Sequence, residues 1–122
     1  MDLAPTLYEL AGINYPGNLG TKKTKPLLGN SMLSYLYGKS PIIHEQDYGI
    51  GLEHRGRTFY RKGDWKIVKL ESSHDEGKMM LFNIAEDLGE TADLRSENPE
   101  KFEELLKEWK LFVKDNEIII SK

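Results

Sequence analysis

Apolar positions along the chain fall into three regimes. At the start, Leu3, Leu7, Leu10 and Ala11 recur at helical spacing, which predicts a short amphipathic helix over residues 2–11. Asp2 is placed to cap its first turn and Gly12 to supply the left-handed residue that ends it. So short a helix needs something to pack against, either the rest of the domain or chain that precedes it. Residues 13–26 mix glycine, proline and lysine without a sustained period, the composition of a surface connector. Ser31 then stands before Met32, Leu33, Leu36 and Tyr37, a second short helix that ends ahead of Gly38.

From residue 41 to 84 the pattern changes to strands and turns. Ile42-Ile43 and residues 48–52 carry the weaker strand signal; residues 57–61, 65–70 and 79–84 concentrate β-branched and aromatic side chains and carry the stronger one. Lys62-Gly63-Asp64 is short enough to force an antiparallel hairpin. Residues 71–77 form a longer loop of the same kind, and Asp87-Leu88-Gly89-Glu90 closes the strand region. Strict alternation puts Phe59 and Trp65 on the helix-facing side and Tyr60 opposite Phe59.

The last regime is the best defined. Asn98 caps, Pro99 occupies the first helical position, and Phe102, Leu105, Leu106, Trp109, Phe112 and Val113 follow at i, i+3, i+4, i+7, i+10 and i+11. Only this helix is long enough to cover a sheet, with Ile118-Ile119-Ile120 as an edge strand or a segment beside it. The fold class is therefore α+β: a small antiparallel sheet of three or four strands covered by a long C-terminal helix, in two layers. Residues 1–30 read as a helix and connector leading from a further domain, and residues 31–122 as the α+β subdomain.

Composition agrees with a folded domain, since hydrophobic residues make up 39% and charged residues 30% of the 122. A net charge of −3 gives no global reason for a polyanionic partner. Locally, however, residues 54–69 hold six Lys and Arg against the single Asp64, while residues 86–122 hold eleven acidic and six basic residues. The chain lacks cysteine, so disulfides and a thiol nucleophile are excluded, and it contains no apolar run of membrane-spanning length. The opening helix, with no tail ahead of it, is expected in a protein that continues upstream.

Each of the three histidines sits near carboxylates: His44 near Glu45 and Asp47, His54 after Glu53, His74 before Asp75 and Glu76. Neighbouring strand residues such as Glu53 and His54 point to opposite faces, so these runs do not converge as zinc ligands must. No HExxH run, calcium-loop pattern, GxSxG elbow or GxxxxGK loop is present. The residues give no catalytic set and no metal set. Arg55, Arg57, Phe59, Tyr60, Arg61, Lys62, Trp65 and Lys66 interleave cations with rings, as a single-stranded nucleic-acid surface does. A core face backed by a solvated face, or a docking face for a larger domain, accounts for the same residues, and the negative net charge argues against nucleic acid as the partner.

Taken in order, three longer stretches resemble the C-terminal part of arylsulfatase-type sulfatases, within the alkaline phosphatase-like group. They are Asp2-Leu3-Ala4-Pro5-Thr6-Leu7-Tyr8-Glu9-Leu10-Ala11-Gly12, then Arg61-Lys62-Gly63-Asp64-Trp65-Lys66-Ile67-Val68, then residues 81–94 leading to Asn98-Pro99-Glu100 and Trp109. Asn83 and Leu88 depart from the family pattern on a structural turn. The resemblance implies a parent enzyme that hydrolyses sulfate esters with a formylglycine nucleophile, made in a Cys/Ser-x-Pro-x-Arg motif, and a calcium ion. No such motif occurs in this chain. It also implies that the partner is an N-terminal catalytic domain of the same polypeptide, that this piece is inactive alone, and that the parent is periplasmic or secreted. Glu53, His54 and Arg55, at the start of the central hairpin, are the candidates to reach the rim of the substrate cleft. A related phosphodiesterase or phosphonate hydrolase, or a free-standing anion or nucleic-acid binding module, are the alternative readings.

Overall fold

The computed structural model describes residues 1–70 and 77–119. The His74 group, the loop before Gly77 and Ile120 lie outside the described residues. The chain divides into two compact units, Met1–Glu45 and Gln46–Lys122.

The first unit holds α1 (Leu3–Leu10), the two-residue strands β1 (Asn18–Leu19) and β2 (Lys22–Lys23), and α2 (Leu33–Leu36). β1 and β2 pair antiparallel inside the expected connector, across a turn in which Gly20 has φ +63°. Helix α1 ends as expected at Gly12, φ +66°. Its entry differs: Asp2 makes no side-chain cap. Instead the Asp2 carboxylate accepts the Asn30 N–H at 3.1 Å and lies 2.9 Å from His44 Nε2. Thr6 is buried and its hydroxyl donates to the Asp2 carbonyl while accepting the Met32 N–H. This polar tie chooses the inner face of α1, and Leu3, Leu7 and Leu10 stay 60 to 68% exposed. Ile42-Ile43 forms no strand.

The second unit is a four-stranded antiparallel sheet in the order β3 (Gly49–His54), β4 (Arg57–Lys62), β5 (Trp65–Lys69), β6 (Met79–Asn83), with α3 (Pro99–Asp115) packed on it. The α+β reading with a helix-covered sheet holds. Pro99 opens α3 as expected, although the Asn98 side chain makes no cap bond. Leu105 and Trp109 bury the centre of the stripe against Tyr60, Ile67 and Leu81, with Phe102, Leu106, Phe112, Val113 and Ile118 around them.

Phe59 is corrected by this register. The loop between β4 and β5 has two residues, Gly63 and Asp64, so Lys62 pairs with Trp65, Tyr60 with Ile67 and Phe59 with Val68. Residues 59 and 65 therefore lie on opposite faces, and Tyr60, not Phe59, joins Trp65 beneath the helix. Tyr60 is buried to 6% and stacks at an angle on Trp109 and Phe112, with ring centroids 6.4 and 5.8 Å away. On the other face Lys66 Nζ sits 5.1 Å from the Phe59 ring, and Val68 and Phe82 are buried.

The open edge of β6 is closed by the segment that leads to α3. Asp93 accepts the Leu81 N–H at 3.0 Å, Leu94 donates to the Leu81 carbonyl at 2.8 Å, and Arg95 Nη1 donates to the Met79 carbonyl at 3.0 Å. Pairing these outward groups removes the template that a bare edge strand offers to other chains.

Candidate functional site

Glu53, His54 and Arg55 come together at the tip of the β3–β4 hairpin. His54 pairs with Arg57, so Arg55 and Gly56 alone form the loop, with φ +52° and +80°. Both loop residues in the left-handed region is the geometry of a tight hairpin whose twist matches its strands. Glu53 serves the turn: its Oε1 accepts the Gly56 N–H at 2.9 Å. By register His54 and Arg57 share one face and Glu53 lies on the other. The sequence places Arg57 in the cation-rich stretch but not with Glu53, His54 and Arg55; it joins the tip only once the two-residue loop is known.

Three of the remaining cations of the 54–69 stretch are engaged within the chain. Lys62 Nζ meets Glu108 at 2.6 Å, Lys66 meets Glu90 at 2.6 Å, and Arg61 Nε donates to the Gly63 carbonyl at 2.9 Å. Glu108 also accepts from the Tyr60 hydroxyl at 3.2 Å. Burial, and then the Glu108 charge, push the Tyr60 phenol up to about 12, while the Glu108 hydrogen bond raises the Lys62 ammonium. The Glu108 contacts tie β4 to α3, and the Glu90 contact ties β5 to the turn at residues 87–90.

Two clefts flank α3. One of about 290 Å³ is lined by Gln46, Asp47, Lys62, Asp64, Trp65, Lys101 and Glu104. Its two lysines are already held, Lys62 by Glu108 and Lys101 by Glu104. The other, about 560 Å³, lies over the first turn of α3, from Glu97 to Glu104. Neither cleft contains any of the hairpin-tip residues.

Elsewhere, burial works against ionisation of the Asp2 carboxyl, but the bonds from His44 and the Asn30 N–H outweigh it and hold it below the usual carboxylate range. His44 is thus a structural tie of the first unit, with Nδ1 3.2 Å from the Asn30 amide nitrogen. Asp87 is lowered by the Ala92 and Thr91 N–H groups of the closing turn. Among the described residues no three His, Asp or Glu side chains gather as a metal set. No helix of the described residues is long and apolar enough to cross a membrane.

No family model matches the chain. A Schizosaccharomyces pombe protein described as an uncharacterized sulfatase is 25% identical over 99% of this chain and 22% of its own length. A Formosa agariphila sulfatase is 28% identical over 81% of this chain and 19% of its own. Among solved structures, that of Ps i-CgsB in complex with k-i-k-neocarrahexaose superposes with a TM-score of 0.65 at 26% identity, covering 94% of this chain and 24% of that one. The chain thus spans about a fifth of the length of the curated relatives it matches.

Proposed function

We propose that this sulfatase-family chain is the C-terminal, non-catalytic subdomain of a larger sulfuric ester hydrolase that acts on sulfated carbohydrate. The observation that supports it is the coverage: nearly all of the chain, 99%, aligns with only 22% of a sulfatase. Cleaving a sulfate ester builds charge on the nonbridging and leaving oxygens, which demands cations or a divalent ion aimed at that point. Here Lys62, Lys66, Lys101 and Arg95 each face a carboxylate of the same chain. Their charge holds the fold together. The formylglycine and calcium belong to the upstream domain in this reading, and export of the whole protein goes with it. The carbohydrate assignment leans on Ps i-CgsB, which was solved with an oligosaccharide.

The purified 122-residue chain is expected to release no sulfate from an aryl sulfate or a sulfated oligosaccharide, with or without calcium. The longer protein that contains it is expected to do so. Turnover above a buffer control by the chain alone would overturn the non-catalytic assignment. Preference of the longer protein for phosphate diesters over sulfate esters would move it to the phosphodiesterase and phosphonate hydrolase group, which the sulfatase relatives do not favour.

A further inference from the structure

We propose that the β3–β4 hairpin tip, His54, Arg55 and Arg57, reads an anionic substituent of a sulfated carbohydrate; this rests on the sulfatase reading above. Three features meet at one place. Arg55 holds a left-handed φ of +52° at a loop position where asparagine or glycine is cheaper. His54 and Arg57 are cross-strand partners, so their side chains share one face at the end of the hairpin. Arg55 and Arg57 also have no carboxylate partner among the described residues, unlike Lys62 and Lys66 further down the same hairpins.

Glu53 does not neutralise the tip. Its carboxylate holds the Gly56 N–H, and its side chain belongs to the opposite face of the strand. It therefore fixes the loop geometry while leaving two guanidiniums and an imidazole at the end of a rigid hairpin. A guanidinium offers a planar donor fork that matches the oxygens of a sulfate or carboxylate. Backbone strain of this kind clusters at active sites and ligand clamps.

The test measures binding of the chain to a heparin oligosaccharide, to the same oligosaccharide desulfated, and to single-stranded DNA of matched charge. Arg55→Gly and Arg57→Gln are each expected to weaken the sulfated ligand about tenfold, as loss of one charge-assisted pair does. Each should also flatten the log–log salt slope by roughly one. Arg55→Lys should fall between the parent and Arg55→Gly, because the charge remains while the planar donor fork is lost. Arg55→Gly should at the same time raise the Tm, since glycine relieves the left-handed backbone; weaker binding in a more stable protein is not what a structural role produces. Unchanged affinity in Arg55→Gly and Arg57→Gln overturns the proposal, as does equal affinity for DNA or for the desulfated ligand. In the longer protein, Arg55→Gly should raise KM for a sulfated oligosaccharide by a larger factor than KM for a small aryl sulfate. Absence of all sulfate-ester turnover there defeats the sulfatase reading itself, whereas turnover with an unaltered KM defeats only the hairpin-tip assignment.

Discussion

Gly51 is where the packing of α3 onto the sheet is most sensitive to a single methyl group. It lies on β3 opposite Tyr60, and a Cβ there would come within 2.7 Å of Phe112 Cδ1 and Cε1 and 2.8 Å of Trp109 Cζ3. Its backbone is not left-handed, so Gly51→Ala tests packing alone. Trp109 is buried to 3% and stacks on Phe112 at a centroid distance of 6.0 Å, so neither ring can retreat independently. Overpacking of this kind costs about 1–3 kcal/mol. Alanine returns about 0.5–1 kcal/mol by restricting the unfolded chain. The net expectation is a loss of about 0–2.5 kcal/mol, centred near 1 kcal/mol, or a Tm lower by roughly 3–6 °C at the centre of that range. Gly17→Ala is the control, because its Cβ would meet nothing within 4 Å. Thermal and urea unfolding of both variants measures the difference, and Gly51→Ala in a Phe112→Leu background should recover about 0.5–1.5 kcal/mol of coupling in a double-mutant cycle. A Gly51→Ala protein more stable than the parent, or a cycle with no coupling, would refute the close approach of α3 to β3.

Tyr60 carries a pH prediction. Its folded value of about 12 lies above the ordinary 10, so the neutral phenol is favoured in the folded state; this stability is complete below pH 10 and is lost between pH 10 and 12. The loss should be no more than about 2.7 kcal/mol, and less because Glu108 and Lys62 at its hydroxyl end are partly solvated; alkaline unfolding should move to higher pH in Tyr60→Phe. Asp93→Ala should cost about 1–2 kcal/mol by leaving the Leu81 N–H unpaired, read as faster amide exchange at Leu81 before any change in α3. Leu7→Lys should change the chain's stability by no more than about 0.5 kcal/mol, because Leu7 is 61% exposed; a loss above 2 kcal/mol would show that its side chain is packed.

The sequence by itself determined the elements whose signals are local. The α3 stripe from Phe102 to Val113 repeats over more than three turns and starts at a proline, so its inner face follows from periodicity alone, and Leu105 and Trp109 are the residues it buries. The three strong strands were likewise legible from their side chains, within one residue of their observed ends. Glu53, His54 and Arg55 could be picked out as unusual polar neighbours at the start of a hairpin. The tertiary structure alone decided what depends on register and on groups far apart in the chain. Aromatic residues occupy both faces of β4, so hydrophobicity could not choose between Phe59 and Tyr60; the two-residue loop and the Trp109 ring did. Glu108 meets Tyr60 and Lys62 across 48 and 46 residues, and Asp2 meets Asn30 across 28, separations over which one sequence carries no pairing signal. Arg57 faces His54 only because the loop between them has two residues, and a shift of one position would send it to the other side of the sheet.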